Sequence, residues 1–314
     1  MRMRYFVTGG AGFVGSHLVD RLVSMGKVTV YDNLSSGRRE FIGQHLRNTS
    51  FRFVQADLLD LDRLAAAMKG SDVVFHLSSN PDVRIGQRDT ATDLNQGTIA
   101  TYNVLEAMRR QDVSKIVFAS SSVVYGETSG EPVSEDHGPL QPISLYGAAK
   151  LASEGLITAF CHLFNVQAWI FRFANVVGSR ATHGVIYDFI HKLKKNAGEL
   201  EILGDGRQSK SYIHAGDCVA GLLYGFQHSD EQVNVFNLGN KDVIDVAAIG
   251  RLLLEQMGLS GVELKFTGGE RGWPGDVPRI CLETSRMNKL GWKPELNSER
   301  AICLAIKEIL AELA

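Results

Sequence analysis

The sequence predicts an α/β fold in which a doubly wound parallel sheet precedes a smaller α/β domain. Short apolar, β-branched segments alternate with amphipathic segments through the first half of the chain. Strands that are apolar almost throughout, with helices between them, are typical of a parallel sheet covered on both faces. The chain has 314 residues, more than the ~250 at which single cores usually stop growing, so a large domain with a smaller partner is expected.

Each element of the first half is predicted from its apolar spacing. The predicted strands are 4–8, 27–31, 51–55, 72–76, 115–120 and 166–172, and the predicted helices are 13–25, 60–68, 92–110 and 145–163.

The pattern loosens beyond about residue 174. Helices are expected at 185–197, 216–228, 244–257 and 297–313, a strand at 233–239, and a loop or short hairpin at 200–214. We therefore expect residues 1–174 to form the sheet domain and 175–314 the smaller domain. A segment near 211–240 is expected to return to the large sheet.

Charge and cysteine usage exclude several classes of protein. The formal net charge of -2 offers no general attraction to nucleic acid or to anionic membranes. Cys161, Cys218, Cys281 and Cys303 lie far apart without metal-ligand spacing, which predicts reduced thiols and no metal site. The N-terminal residues run directly into a strand, and no apolar run approaches ~18 residues, so we expect a soluble cytoplasmic protein.

A glycine-rich turn follows the first predicted strand, in VTGGAGFVGSH. Gly9, Gly12 and Gly15 are spaced as in a relative of the dinucleotide fingerprint, in which glycine lets the backbone approach a pyrophosphate at a helix N-terminus. Asp32 ends the second strand, where a carboxylate accepts hydrogen bonds from ribose hydroxyls and repels a 2′-phosphate. The glycine turn and Asp32 together indicate NAD as the cofactor. The alternative is a structural glycine turn followed by a solvated aspartate. Asp57 ends the third strand, where either an adenine contact or a helix cap is expected.

A tyrosine and a lysine lie four positions apart in SLYGAAK, on one face of a predicted helix. A phenol has a pKa of about 10, so Tyr146 needs help to act as a base near neutral pH. We expect the ammonium of Lys150 and the positive nicotinamide ring of NAD to favour the phenolate. A serine of FASSSVVYG, at the end of a strand, is expected to hold the reacting oxygen.

These residues resemble the extended short-chain dehydrogenase/reductase family. The resemblance covers nearly the whole chain, through TGGAGFVGSH, YDN, ADL, FHLSS, SSSVVYG, YGAAK, FRFANVVG, GDGRQSKSYIH and RGWPGDV. Within this family the chain is most similar to epimerases of UDP-hexoses. The resemblance implies that Tyr146 takes the proton of the sugar C4 hydroxyl while NAD takes the C4 hydride. The ketone then turns over, and the hydride returns to its opposite face.

The resemblance also implies the residues of the site. The catalytic residues would be Tyr146, Lys150 and Ser121, with Ser122 as the alternative serine. NAD would be held by Gly9, Gly12, Phe13, Val14, Gly15, Asp32, Asn33, Ser35, Ser36, Gly37, Asp57, Leu58, Leu77, Ser78, Ser79, Tyr146 and Lys150. A UDP-sugar would be held by Ser121, Ser122, Tyr146, Asn175, Val185, Leu203, Arg207, Gln208, Arg271 and Asp276.

Two positions distinguish members of this family. Related dehydratases carry Asp-Glu after the catalytic serine or threonine, whereas this chain has Ser122 and Val123, which disfavours loss of water. Ile280 falls near a position where a bulky tyrosine excludes N-acetylated sugars. The alternatives are therefore an epimerase or reductase of UDP-N-acetylhexosamine or UDP-glucuronate, or a non-catalytic NAD-sensing regulator.

Two further positions depart from the family pattern. The family asparagine near the start of helix 92–110 has no clean counterpart, since Asn95 precedes its expected place and Gly97 occupies it, so the role of Asn95 stays open. Lys210 stands where an arginine often contacts the diphosphate, which keeps the charge without the bidentate fork. The apolar stripes of helices 92–110 and 145–163 resemble the four-helix interface of family dimers, so a homodimer is expected.

Overall fold

The computed structural model describes residues 2–313 as an α/β protein. Its strands are β1 (Arg4–Thr8), β2 (Lys27–Asp32), β3 (Phe51–Gln55), β4 (Val73–His76), β5 (Lys115–Ser121), β6 (Gln167–Phe173), β7 (Asn175–Val177), β8 (Glu199–Ile202), β9 (Ser209–Lys210), β10 (Tyr212–His214), β11 (Val233–Leu238), β12 (Ile244–Asp245), β13 (Glu263–Phe266) and β14 (Arg279–Ile280). Its helices are α1 (Phe13–Met25), α2 (Leu61–Met68), α3 (Ala91–Asp93), α4 (Ala100–Arg110), α5 (Leu145–Phe164), α6 (Val185–Lys195), α7 (Ala215–His228), α8 (Val246–Gln256), α9 (Ser285–Leu290) and α10 (Ser298–Glu312).

Seven parallel strands form the large sheet, in the order β11-β6-β5-β4-β1-β2-β3. The predicted doubly wound parallel sheet is confirmed. The strand order reverses between β1 and β4, and ligands of such sheets bind at the carboxyl ends of the strands near this point.

Two apolar layers cover the faces of this sheet. One layer joins α1 and α7 to the sheet through residues such as Leu18, Leu22 and Leu222. The other joins α2, α4 and α5 through residues such as Leu64 and Val104. Because both faces are buried, the strands are apolar throughout, which explains why their positions could be predicted.

A third core underlies the smaller part of the chain, where α6, α8 and α10 pack on short strands. Of the two alternatives expected at 200–214, a loop or a short hairpin, the hairpin is wrong, since the strands in this segment do not pair with each other. Instead, β8 pairs with β13, β9 with β12 and β14, and β10 with β7.

The helix predicted at 92–110 is interrupted. A π-helical segment, Leu94–Ile99, separates α3 from α4. A Cβ atom on Gly97 would lie 2.8 Å from Cβ of Ala149 on α5, so glycine allows the two helices to approach closely here. Segments of this kind frequently occur at functional sites. Among residues 2–313, no helix is long and apolar enough to cross a membrane.

Candidate active site

A cavity of about 800 Å³ opens at the carboxyl ends of the large sheet's strands. Its walls come from the turns after β1, β2, β4, β5 and β6 on one side, and from α6 and the segment 272–280 on the other. Many of the residues predicted from the sequence therefore meet in one place. One end of the cavity lies near Gly9 of the glycine-rich turn, and the second end lies near Leu203.

The glycine turn after β1 is packed too closely for side chains. Gly9 has a φ of +68°, and a Cβ atom there would lie 2.7 Å from the amide nitrogen of Ser78. A Cβ atom on Gly15 would lie 2.0 Å from the carbonyl oxygen of Gly9. No side chain within residues 2–313 caps the N-terminus of α1, which begins after Gly12 and faces the cavity. This turn leaves a helix N-terminus open to a phosphate group.

Asp32 is held at the end of β2 with its carboxylate on the cavity wall. Its two oxygens accept hydrogen bonds from the backbone of Ala11 (3.0 Å) and Leu34 (2.8 Å). Burial raises the pKa of Asp32, and the two backbone donors oppose this shift. A carboxylate has about four lone-pair sites, so acceptor capacity remains for ribose hydroxyls.

Asp57 is not part of the cavity wall, although its neighbours Ala56 and Leu58 are. Its carboxylate accepts hydrogen bonds from the side chain of Asn33 (2.8 Å) and from the backbone of Leu59 (2.9 Å). It thus stabilises the turns after β2 and β3, while Asp60 caps α2. The predicted contact of Asp57 with adenine remains a prediction.

The remaining predicted cofactor residues divide into two groups. Gly37 is not part of the wall and packs beside Ala11 and Asp32. The cavity wall includes Gly9, Gly12, Phe13, Val14, Gly15, Asn33, Ser35, Ser36, Leu58, Leu77, Ser78 and Ser79.

Tyr146 and Lys150 lie on one face of α5, as the spacing predicts, and both line the cavity. Ser144 begins this helix by accepting a hydrogen bond from Gly147 N (3.1 Å). Nζ of Lys150 lies 5.6 Å from the ring centroid of Tyr146 and donates a 2.7 Å hydrogen bond to the carbonyl oxygen of Ala119. The amine is thereby fixed beneath the phenol ring.

Without the cofactor, burial disfavours the charged form of both members of this pair. Burial raises the pKa of Tyr146, and its hydrogen bonds with Ser79 and Ser121 only partly oppose this shift. Burial also lowers the pKa of Lys150 to about 7, against the opposing charges of Glu154 and Asp93. The protein groups alone therefore favour the neutral phenol, because desolvation disfavours both ions.

Two serines at the end of β5 face the same part of the cavity. Ser121 and Ser122 both line it, and of the two only Ser121 acts on the pKa of Tyr146, which it lowers. The Ser121 hydroxyl also accepts a long hydrogen bond from Val123 N (3.4 Å), which begins the turn after the strand. This geometry favours Ser121 over Ser122 as the partner of the phenol.

A buried polar network supports the catalytic face of α5 from behind. Glu154 accepts a 2.5 Å hydrogen bond from Ser120 and a 2.8 Å bond from Arg172 Nη2. Arg172 also donates to the Tyr125 hydroxyl (3.0 Å), which itself donates to Asn237 (2.6 Å). The network joins α5 to β5, β6 and β11, so it fixes the helix against the strand that carries Ser121.

Five residues predicted for substrate binding lie around the second end of the cavity. Asn175 and Val185 line it beside β7 and α6, and Leu203 lines it in the loop after β8. Gln208 is buried in the same wall, and neither its amide oxygen nor its amide nitrogen has a partner within residues 2–313. Asp276 accepts hydrogen bonds from Lys210 Nζ (2.5 Å) and from the backbone of Gly272 (3.1 Å).

The two predicted arginines lie outside the cavity wall. Arg207 is exposed, with its backbone amide bonded to Asp205 (2.9 Å). Arg271 donates to the carbonyl oxygen of Asp276 (2.8 Å) and forms an ion pair with Glu127. Its guanidinium braces the segment 271–276, and a diphosphate contact by either arginine remains a prediction.

The sequence reasoning missed residues that the tertiary structure brings to Tyr146. Asn80 lines the cavity after β4 and is hydrogen-bonded to the buried Asp93 (3.0 Å). Glu154 and Arg172 pair although 18 positions apart. The available signal was a polar residue on an otherwise apolar helix face, as for Glu154, or in the loop that follows an apolar strand, as for Asn80.

The site fits NAD on its own geometry. The glycine cradle would be filled by a Cβ atom, the N-terminus of α1 faces the cavity, and Asp32 keeps unused acceptor capacity. With a Tyr–Lys pair on α5, these features define a short-chain dehydrogenase/reductase of the extended type.

The chain belongs to the NAD dependent epimerase/dehydratase family, whose model matches residues 5–239. The protein is therefore an enzyme of the sugar-nucleotide epimerases and dehydratases, and its cofactor is NAD.

Individual relatives cover nearly the full chain. A UDP-glucose 4-epimerase of Mycolicibacterium smegmatis is 37% identical over 315 residues, covering 97% of this chain and 98% of the relative. A crystal structure of UDP-galactose 4-epimerase is 42% identical with a TM-score of 0.89, covering 99% of this chain and 100% of the other. The UDP-glucuronic acid 4-epimerase of Bacillus cereus, solved with UDP-glucuronic acid and NAD, is 28% identical with a TM-score of 0.90, covering 99% and 100%.

Proposed function

We propose that the protein interconverts UDP-hexoses at C4, as a UDP-glucose 4-epimerase does. The observation that carries this proposal is the content of the cavity around Tyr146. A phenol, a serine hydroxyl and a buried amine meet there, while the residues that follow Ser121 are Ser122 and Val123. An isopropyl side chain transfers no proton, so the site suits oxidation and reduction at one carbon and not elimination of water.

Three side chains act on the C4 hydroxyl of the sugar, each in a different role. Tyr146 accepts the proton of the C4 hydroxyl and returns it at the end of the cycle. Ser121, on the same cavity wall as the phenol, orients the sugar oxygen, and Lys150, fixed by the carbonyl oxygen of Ala119, stabilises the developing phenolate. Bound NAD supplies the oxidant and then the reductant, so no second substrate is consumed.

Nucleotide recognition is assigned to the second end of the cavity. The buried amide of Gln208 has unpartnered donor and acceptor atoms, which suits hydrogen bonds to a base or ribose. Gly204, with a φ of +76°, makes room for it, since a Cβ atom there would lie 1.8 Å from Nε2 of Gln208. Leu203 offers an apolar surface for the base.

A neutral hexose fits the charges of the cavity better than a uronate. Lys210 is paired with Asp276, Arg84 with Asp82, and Nζ of Lys150 bonds a backbone carbonyl. A C6 carboxylate would have to compete with these partners, and at the buried Lys210–Asp276 pair this would leave Asp276 without its cation. UDP-glucose and UDP-galactose are therefore preferred over UDP-glucuronate.

A second candidate is 4-epimerisation of UDP-N-acetylhexosamine. Ile280 is buried in the cavity wall beside Lys210. This side chain is smaller than a tyrosine and presents no hydroxyl, so an acetamido group meets an apolar wall. The ratio of turnover on the two UDP-sugar classes measures this preference.

We also propose a homodimer formed through α4 and α5. These helices contact each other, and Tyr102, Leu163 and Phe164 stay exposed on them. Exposed apolar surface on two packed helices supports an interface at this place. Light scattering with Leu163→Glu tests this, since the change is expected to give a monomer; an unchanged dimer contradicts the assignment.

The epimerase proposal is tested with UDP-galactose and UDP-glucose on the NAD-loaded protein. We expect wild type to reach the same mixture from either sugar, and Tyr146→Phe to lose at least 100-fold in kcat, a typical contribution of a general base. Tyr102→Phe is the matched control and should keep full activity. Full activity of Tyr146→Phe contradicts the assigned base, and an inert wild type with normal NAD binding favours the regulator.

A further inference from the structure

One loop of the cavity wall is tied by hydrogen bonds to two helices. This loop, residues 178–184, joins β7 to α6, and its residues Gly178 and Ala181 line the cavity. Between them, Ser179 and Arg180 lie outside the wall. They are hydrogen-bonded to α1, whose N-terminus faces the cavity, and to α10 of the third core. The loop therefore joins the two helices.

On the α1 side, the contact is made by one histidine and one aspartate. Nε2 of His17 lies 3.0 Å from the carbonyl oxygen of Ser179, and because a carbonyl oxygen only accepts, this nitrogen carries the proton. Asp20 accepts a 2.8 Å hydrogen bond from Nη2 of Arg180. The His17 ring also packs edge-on against Phe13, with 6.0 Å between the ring centroids, and Phe13 lines the cavity. The contact is thus one side chain away from the cavity at the start of α1.

On the α10 side, two glutamates bind the backbone of the same loop. Glu308 accepts a 2.8 Å hydrogen bond from Ser179 N and a 3.0 Å bond from His214, whose other ring nitrogen caps α7. Glu312 accepts from Arg180 N at 3.0 and 2.9 Å. Glu312 is the last residue of α10, where the helix dipole disfavours an acid, and it repels Glu308 four positions earlier. The contact with the loop explains acids that the helix alone would not favour.

Arg180 adopts a backbone conformation that is unfavourable for its residue type. Its φ of +64° lies in the left-handed region, which glycine adopts without strain and other residues do not. Nη1 of its guanidinium is buried and has no hydrogen-bond partner in the part of the chain that the structure describes. Strained residues of this kind persist where the surrounding contacts hold them, and they cluster at ligand clamps.

We propose that these hydrogen bonds form a latch that keeps NAD bound. The latch consists of the bonds of Ser179 and Arg180 with α1 and α10. Since α1 carries the N-terminus that suits the phosphate groups of NAD, movement of the loop away from α1 widens the cavity beside the cofactor and speeds its release. The inference concerns NAD and not the sugar, so it holds for any sugar nucleotide that the enzyme uses.

The test measures cofactor release directly. Protein loaded with NADH is mixed with excess NAD, and the loss of bound NADH fluorescence gives the rate of release. We expect Arg180→Met and Asp20→Ala each to release NADH at least about tenfold faster than wild type. The double variant should be no faster than the faster single variant, because both changes break one contact. Gln44→Ala is the matched control with an unchanged rate, since Gln44 also donates to Asp20 (2.7 Å) but from the side of the large sheet.

A second measurement reads the loop itself. Amide hydrogen exchange of residues 178–184 on NAD-loaded protein should be faster in Glu312→Ala than in wild type, while Glu312→Gln keeps an oxygen acceptor for Arg180 N and should restore slow exchange. All variants are compared where circular dichroism shows them equally folded. Unchanged NADH release in Arg180→Met and Asp20→Ala overturns the inference. An equal acceleration in Gln44→Ala also overturns it, because the effect would then be a general loosening around Asp20.

Discussion

Gly15→Ala is expected to damage both the fold and cofactor binding. The added Cβ atom would lie 2.0 Å from the Gly9 carbonyl oxygen, 2.8 Å from the Gly9 carbonyl carbon and 2.9 Å from Cα of Gly10. All three atoms belong to the backbone, so no side chain can rotate away and the turn must move. Overpacking of this kind costs about 1–3 kcal/mol, and we expect the upper end of that range.

Two other glycines calibrate this expectation. Gly12→Ala places its Cβ atom 3.2 Å from the Gly9 carbonyl oxygen, at a φ of -81° that alanine adopts readily, so a cost under about 1 kcal/mol is expected. Gly43→Ala meets no atom within 4 Å and should be neutral or stabilising by roughly 0.4–1 kcal/mol. The order of stability is therefore Gly43→Ala, Gly12→Ala, Gly15→Ala.

The assay is urea unfolding of the three variants without added cofactor, followed by NAD titration. Because the same turn carries the helix N-terminus, we expect Gly15→Ala to bind NAD at least about tenfold more weakly, equal to a loss of about 1.4 kcal/mol. Equal stability of Gly12→Ala and Gly15→Ala would show that the close packing on Gly9 is not what selects glycine. Unchanged NAD affinity in Gly15→Ala would remove the turn from the cofactor site.

Three further predictions concern buried charges. Asp32→Ala should weaken NAD and reduce discrimination against NADP; an unchanged NAD/NADP preference would place the ribose contact elsewhere. Lys150→Met should be more stable than wild type below about pH 7, the lowered pKa of the buried amine, and this gain in stability should vanish as the pH rises toward 10.5, the pKa of an unfolded lysine. Urea unfolding at pH 6 and pH 9 measures the gain. An equal gain at both pH values would contradict a cost of burying the charged amine. Glu154→Ala leaves Arg172 buried without its carboxylate, so a loss of about 3–5 kcal/mol is expected in urea unfolding, and a loss under 1 kcal/mol refutes the pairing.

The large sheet could be predicted because the features that mark each strand lie within a few consecutive residues. Its strands are buried on both faces, so each is a short apolar run that stands out from the amphipathic helices. The glycine turn, Asp32, Tyr146 and Lys150 follow strand ends or share one helix turn. Their meeting in one cavity follows from the parallel topology.

The missing parts depend on contacts between distant segments. The π-helical segment exists where Gly97 meets Ala149 on another helix, and no local pattern marks it. The orientation of Arg271 depends on Glu127, more than a hundred positions away. Pairings such as these are decided by tertiary packing, which a residue pattern does not contain.

The raised pKa of Tyr146 bears on how this residue could become a base. A lysine beside a phenol suggests a permanent phenolate, but burial lowers the pKa of Lys150 to about 7 and raises that of Tyr146. Burial disfavours the charged form of both groups in the protein alone, so the lysine cannot by itself keep the tyrosine ionised at neutral pH. A bound oxidised nicotinamide ring would be positive and a reduced ring neutral, so in the proposed reaction the tendency of Tyr146 to lose its proton would follow the redox state of the cofactor. Tyr146 would then be the stronger base when the sugar alcohol is to be oxidised, and it would carry a proton when the ketone is to be reduced.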